Sequence, residues 1–258
     1  MPSYMLPTSF GDVPVTVEEK GEGKPVLLLH GGAGPDSVRG FAGLLAARGW
    51  RTFTPVHPGF GGTPGPEKLD SVRGLAEVYA RLLDEPALEN ATVIGSSVGG
   101  WIAAELALAA AGRTGPLVLL DAVGLASAEH PVADFFSLTL DQVAELSYAD
   151  PDAHRIDLSA MSDEQKRIAA GNRESLLVYG GESMADPSLK ERLAAISVPA
   201  LVVWGEADRM VTPEYGREYA DAIPGAVFHV IRQAGHLPQI EAPDALLGLL
   251  EEFADDGS

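Results

Sequence analysis

Cysteine is absent from the 258 residues, which excludes disulfides, thiolate metal sites and a cysteine nucleophile together. Positive charge is scarce. Lys and Arg number 18 against 37 Asp and Glu, a formal charge of −19. Such a surface repels phosphate backbones and anionic headgroups, so neither nucleic acid nor a membrane surface is an expected partner. No apolar run has the length of a membrane span. The most apolar helical stretch, residues 101–111, is short and carries Glu105. Residues 1–10 hold neither a basic n-region nor an apolar h-region, so a cytoplasmic protein is expected. Aromatic residues are only 7%, yet hydrophobic residues reach 46% and charged ones 21%, ordinary globular usage that excludes disorder and coiled coil.

Apolar runs alternate with segments of helical period. Residues 13–18 alternate apolar and polar, as a half-buried antiparallel strand does. Residues 26–30 (VLLLH) are continuously apolar up to a glycine pair, which predicts a strand buried on both faces. Further strands are predicted at 51–55, 91–95, 117–121, 200–204 and 226–231, and helices at 37–48, 70–83, 98–111, 213–222 and 242–253. Strands separated by helices predict an α/β fold with a mostly parallel, doubly wound sheet. One segment breaks the rhythm. Residues 124–195 hold helical patches at 140–146, 163–179 and 188–195 but no strand run. The expected organisation is a core of residues 1–123 and 196–258, with 124–195 inserted as a helical cap over the carboxyl edge of the sheet.

The sharpest local pattern is Gly95-Ser96-Ser97-Val98-Gly99, after a strand and opening a helix. A nucleophile on so tight a turn needs glycine two residues away on each side, because side chains there would clash. Ser97 meets that requirement. Ser96 does not, since its flanking positions are Ile94 and Val98. A plain glycine- and serine-rich helix start would carry similar letters, so the pattern needs support from elsewhere. His30-Gly31-Gly32-Ala33-Gly34 ends the VLLLH strand, where glycines let the backbone aim an N–H at a substrate oxygen. Acyl transfer needs two such donors. Val98 N–H is one candidate and Gly32 N–H the other, with Ala33 as the alternative to Gly32. Asp208 follows the 200–204 strand and His236 follows the last strand, so the chain order is Ser97, Asp208, His236. Asp121 also ends a strand and competes with Asp208 for the acid role; the longer loop of Asp208, one strand before His236, favours Asp208.

These pieces, LLLHGG, HPGFGGT, VIGSSVGGW, VPALVVWGEADRMVTP and QAGHLPQIEAP, resemble the α/β-hydrolase superfamily, in particular its capped serine hydrolase/acyltransferase branch. The resemblance runs over nearly the whole chain. It implies the α/β-hydrolase fold, with Ser97 as nucleophile, His236 as general base, Asp208 as its orienting acid, and Gly32 and Val98 as oxyanion donors. The sequence departs from the family pattern at His57, where Asp is usual. A loop-stabilising role there is favoured over a substrate contact. His30, His130, His154 and His229 have no partner at metal-ligand spacing, so neither a metal nor another cofactor is expected.

The expected partner is a small-molecule substrate, bound by a monomer or a homodimer. Phe135 and Phe136 in the cap, and Met210 and Leu237 beside the acid and base, are candidate substrate-binding residues; Leu138, Tyr148, Leu176, Tyr179, Met184 and Val211 are further apolar candidates, and for most of these side chains a place in the protein's own core is the alternative. An apolar pocket suits a small or medium uncharged carboxylic ester. The alternatives are carbon–carbon bond hydrolysis of vinylogous diketones and a ligand receptor with little turnover. Relatives with the carbon–carbon activity resemble H-G-x-G-P-G at the oxyanion loop, Asn before the nucleophile and Trp after the histidine. This chain has HGGAGP, Ser96 and Leu237 there.

Overall fold

The computed structural model describes residues 1–155 and 157–256. The chain starts with an antiparallel pair, β1 (Ser3–Thr8) and β2 (Gly11–Lys20). Strands and helices then alternate through β3 (Lys24–Leu29), α1 (Asp36–Ala47), β4 (Trp50–Pro55), α2 (Val72–Leu82), β5 (Thr92–Ser96), α3 (Val98–Ala109) and β6 (Leu117–Leu120). After β6 the chain leaves the sheet for β7 (Gly124–Leu125), α4 (Leu140–Ser147), α5 (Pro151–His154), α6 (Asp163–Gly180), β8 (Ala185–Asp186) and α7 (Leu189–Arg192). It returns with β9 (Ala200–Gly205), α8 (Pro213–Ala222), β10 (Val227–Ile231), α9 (Pro238–Glu241) and α10 (Pro243–Asp256).

Among the described residues the main sheet has eight strands in the order β1-β2-β4-β3-β5-β6-β9-β10. It is parallel from β4 to β10, and β2 joins β4 antiparallel. This is the mixed, mostly parallel sheet of the α/β-hydrolase fold. The strand order reverses between β3 and β5. From β3 the chain steps outward to β4, whereas from β5 it steps the other way to β6. Helices diverge at such a point and leave a crevice at the carboxyl ends of the two strands, where ligands bind. The VLLLHGG and GSSVG segments end there.

Period-2 geometry explains why the central strands are apolar without interruption. Leu27 and Leu29 of β3, Val93 of β5, Leu117 and Leu119 of β6 and Val202 of β9 face one core, shared with α2, α3 and α8. Val26, Leu28, Ile94, Val118, Leu120, Leu201 and Val203 face the other, against α1 and α10. Each fully buried leucine or valine contributes roughly 1.5–3 kcal/mol relative to exposure, so a polar residue on either face would be expelled. Residues 13–18 are expected as a single strand. The structure extends it to Gly11–Lys20 and pairs it with β1, whose Leu6 is its one buried side chain.

Residues 124–195 were expected to hold no strand, yet β7 and β8 pair in parallel, Gly124 with Ala185 and Leu125 with Asp186. Two residues per strand leave no periodic signal. The pair is held from outside: the Tyr215 hydroxyl accepts the Leu125 N–H at 2.6 Å and donates to the Leu125 carbonyl at 3.0 Å. The long helix α6 starts at a capping box, Ser162 with Gln165, and ends at Gly181, whose φ of 66° favours glycine.

Candidate active site

The turn between β5 and α3 is built by close approach of backbone to backbone. A methyl group on Gly95 would overlap the Gly99 carbonyl, and one on Gly99 would overlap the carbonyls of Leu29 and His30. Ser97 sits between them at φ 57°, ψ −120°, a strained conformation for a non-glycine residue. Its N–H is engaged by the Leu120 carbonyl at 2.9 Å. The neighbouring Ser96 is fully buried, and its Oγ accepts from Gln239 Nε2 at 3.1 Å. Of the pair, Ser97 is the one whose hydroxyl meets His236.

His236 joins Ser97 to Asp208. Its Nε2 lies 2.9 Å from Ser97 Oγ, and its Nδ1 lies 2.7 Å from Asp208 Oδ2. With Nδ1 donating to the carboxylate, Nε2 is the acceptor for the serine hydroxyl. The other carboxylate oxygen of Asp208 accepts the N–H groups of Met210 at 2.8 Å and Val211 at 3.0 Å. The imidazole therefore pairs with Asp208, while Asp121 sits behind it, fully buried, accepting the Gly205 N–H at 2.8 Å. Asp121, Asp208 and His236 are the one group among the described residues whose ligand atoms gather within 4.8 Å. His236 already spends both ring nitrogens on Ser97 and Asp208.

The histidine loop is clamped by residues that the sequence reading did not single out. The His236 N–H donates to the Ser147 carbonyl at 2.6 Å, at the end of α4. Glu241 on α9 accepts the Gly235 N–H at 2.6 Å through one oxygen, and the N–H groups of Ala149 (2.9 Å) and Asp150 (3.3 Å) through the other. A glutamate five residues after the histidine was visible in QIEAP, but nothing in the sequence tells which N–H groups it would meet.

The glycine loop after β3 lies beside Ser97. An added Cβ on Gly31 would stand 3.2 Å from Ser97 Cβ, and one on Gly32 would stand 2.7 Å from Leu176 Cδ2. No hydrogen bond among the described residues occupies the N–H of Gly32, Ala33 or Val98. The Val98 N–H also stands at the start of α3, where the helix favours negative charge. Behind the loop lies a closed cluster. The His57 N–H donates to His30 Nε2 at 3.1 Å, His57 Nε2 donates to the His30 carbonyl at 2.9 Å, and His30 Nδ1 donates to the Gly31 carbonyl at 2.8 Å. The Tyr79 hydroxyl donates to His57 Nδ1. Burial holds His57 down to about 4 and His30 well below the usual histidine range, with His57 adding to the effect on His30. Both rings are neutral, which this donor pattern requires. His57 is fully buried and serves the loop.

Helix α6 presses on the same loops from the other side. Asn172 accepts the Gly61 N–H at 2.8 Å and donates to the Ala33 carbonyl at 3.1 Å. Ser175 donates to the Gly59 carbonyl at 2.8 Å, and Tyr179 to the Pro58 carbonyl at 2.9 Å. Their spacing, i, i+3 and i+7, is one helix face. That polar stripe was the available signal. Of the apolar candidates, Leu176, Tyr179 and Met184 are buried, as are Met210, two residues after Asp208, and Leu237, next to His236 in the chain. Phe135 and Phe136 pack edge to face at 5.4 Å beneath the Arg173 guanidinium, with no ring or hydrogen-bond contact to Ser97 or His236 among the described residues.

The alpha/beta hydrolase family model matches residues 26–249. The chain is 29% identical, over 94% of its length and 92% of the relative's, to a 2-hydroxy-6-oxo-6-phenylhexa-2,4-dienoate hydrolase of Burkholderia cepacia. It is 29% identical to a 2-hydroxymuconate semialdehyde hydrolase of Pseudomonas putida, over 92% of this chain and 89% of the other. Among solved structures, a thermophilic esterase from Thermogutta terrifontis superposes with a TM-score of 0.80 at 23% identity, covering 99% of both chains. No helix among the described residues is long and apolar enough to cross a membrane. Taken with the strand order and the Ser97–His236–Asp208 contacts, these matches establish that the chain belongs to the alpha/beta hydrolase family and is a hydrolase of small molecules.

Proposed function

We propose that the protein hydrolyses a carbonyl compound through an acyl-enzyme on Ser97, and that its substrate is an oxo-dienoate of the kind its curated relatives act on. The hydrogen-bonded line Ser97–His236–Asp208 carries the first part. His236 Nε2 takes the hydroxyl proton as Ser97 Oγ attacks the carbonyl carbon. Asp208 holds the ring with Nδ1 protonated and stabilises the imidazolium. The Gly32 and Val98 N–H groups receive the oxyanion. His236 then protonates the leaving group, and water, activated in the same way, releases the acid from Ser97.

The relatives support the second part. A 2-hydroxy-6-oxodienoate has no ester or amide link, so its hydrolysis must break a carbon–carbon bond beside the ketone, and the leaving carbon must take the proton. Residues 124–195 form the lid over that reaction in this reading, with α6 tied to the glycine loops. An ester substrate is the second reading. Ser96 stands before the nucleophile and Leu237 follows the histidine, both unlike the pattern that accompanies carbon–carbon cleavage. Purified protein should be assayed side by side on 2-hydroxy-6-oxo-6-phenylhexa-2,4-dienoate and on p-nitrophenyl esters of graded acyl length, with Ser97→Ala as blank. A kcat/KM for the dienoate above that for every ester is expected. The reverse ranking would replace the first reading with the second, and turnover that survives Ser97→Ala would remove both.

A further inference from the structure

Asp121 is a buried titratable group that the reaction scheme leaves unused. It follows β6 at a φ of 45°, a region that residues with side chains rarely enter, and its N–H is tied to the Val203 carbonyl at 3.0 Å. Its Oδ1 accepts the Gly205 N–H at 2.8 Å. Its Oδ2 is buried with no hydrogen-bond partner among the described residues. Polar atoms of Asp121, Asp208 and His236 lie within 4.8 Å of one another. Two buried carboxylates so close to a single imidazole do not both stay ionised; one keeps a proton.

The hydrogen bonds decide which one. Asp208 receives three donors, from His236 Nδ1 and the N–H groups of Met210 and Val211. Asp121 receives only the Gly205 N–H. An oxygen buried without a donor is costly as a carboxylate oxygen, but as an O–H it becomes a donor itself, and a carboxylate oxygen of Asp208 lies within 4.8 Å of the Asp121 carboxyl group to accept it.

We propose that Asp121 stands as a neutral carboxylic acid whose O–H faces Asp208, and that it positions the carboxylate on which His236 depends. The inference rests on reading Asp208 as the orienting acid. Burial, then the charge of Asp208, push the Asp121 carboxyl well above the ordinary carboxylate range; the Gly205 N–H opposes this, and hydrogen bonding to Asp208 and the charge of Glu241 add to it. Glu241 is itself held by the N–H groups of Ala149, Asp150 and Gly235. Among the described residues the charged and titratable groups facing Asp121 are thus Asp208, His236 and Glu241, with no Lys or Arg among them.

Three measurements on the full chain test this. Asp121→Asn keeps the shape, the acceptor for Gly205 and a donor toward Asp208. The wild-type fold must keep a proton that the unfolded chain releases, so wild-type stability should fall relative to Asp121→Asn as pH rises from 5 to 8. The slope should approach about tenfold in the folding equilibrium per pH unit. A flat difference would overturn the neutral state. The second measurement is the acid limb of Ser97 labelling by a fluorophosphonate against pH. It should stay in place in Asp121→Asn, because one neutral group replaces another. A fall of about one pH unit or more would mean that an anion beside His236 had been removed, and would overturn the proposal. Third, Asp121→Ala should slow labelling at least tenfold, with Asp121→Asn restoring most of the rate. Labelling by Asp121→Ala at the wild-type rate would overturn the positioning role; if that variant does not fold, the two Asp121→Asn measurements decide. Wild-type protein that is never labelled at Ser97 would overturn the proposed function instead, and the stability slope would still decide where the proton lies.

Discussion

The β5–α3 turn and the face of α6 both border the same crevice, and they are held in opposite ways. At the turn, backbone packs on backbone: Gly95 and Gly99 approach carbonyl oxygens so closely that one methyl group cannot be fitted. On α6, side chains reach across to backbone: Asn172, Ser175 and Tyr179 each satisfy polar groups of the glycine loops. The first arrangement tolerates no substitution, because main chain has nowhere to move. The second spreads its stabilisation over several hydrogen bonds, each worth about 1 kcal/mol net, and should degrade step by step. In the proposed function, chemistry that needs atoms placed to a fraction of an ångström sits on the first, and selection of what enters on the second.

The sharpest way to break this comparison is at Ser97. Ser97→Ala should lower turnover by a factor on the order of 10⁶ and abolish fluorophosphonate labelling. Ser96→Ala should keep the labelling, since its hydroxyl is turned toward Gln239. Labelling that follows Ser96 would place the turn one residue away from where its glycines put it.

Next is the acid. Asp208→Asn should lower kcat by a factor on the order of 10⁴, because an amide at this position favours the wrong imidazole tautomer. Asp121→Asn should cost far less. Steady-state kinetics on one substrate ranks the two, and a larger loss at Asp121 would move the acid to the end of β6.

The buried histidines give a pH test of the glycine loop. His57 titrates at about 4 in the fold against 6.5 when unperturbed, so the unfolded chain binds its proton first as pH falls. Stability from the neutral ring is complete above pH 6.5 and is lost as pH drops toward 4, by a limit on the order of 3 kcal/mol. Urea melts of wild type and His57→Gln at pH 7 and pH 4.5 should show the gap between them narrowing at the lower pH. A constant gap would mean that His57 is not held neutral.

Smaller effects are expected on the α6 side. Asn172→Ala leaves the Gly61 N–H and the Ala33 carbonyl without their partner, at a cost of about 2 kcal/mol in a urea melt, while Ser97 stays reactive. Loss of all labelling in a folded Asn172→Ala protein would put α6 on the same footing as the turn. Phe135→Ala or Phe136→Ala should shift acyl-chain preference by about tenfold per methylene, without loss of labelling. An unchanged preference would confine that aromatic pair to its packing under Arg173.

Much of this was legible in the residues. The turn was, because its steric requirement is local: glycines two residues to each side of Ser97 can be read from five letters. The central strands were, because burial on both faces demands unbroken apolar runs. The β7–β8 pair was not, since two residues carry no period and a tyrosine on α8 holds them. The packing of Phe135 and Phe136 on one another beneath Arg173 was not legible either, since Arg173 lies 37 residues beyond Phe136. Nor could a reading of His57 reach Tyr79 and His30, which lie 22 and 27 residues away and meet it only through the sheet.

The sequence by itself determined the alternation of strands and helices, the register of the Gly95–Gly99 turn around Ser97 and the chain order Ser97, Asp208, His236, because each depends on spacing along the chain. Only the tertiary structure decided which carboxyl group meets the imidazole. Asp121 and Asp208 both follow apolar strands that are neighbours in the sheet, and both end near His236. The difference lies in which backbone N–H groups surround each one. Asp208 receives those of Met210 and Val211 as well as the imidazole, whereas Asp121 meets Gly205 alone. The Met210 and Val211 N–H groups lie two and three residues past Asp208 and are a local turn. The His236 imidazole, however, reaches Asp208 from 28 residues away, and the Gly205 N–H reaches Asp121 from 84, so only folding assigns the ring to one carboxyl group and not the other.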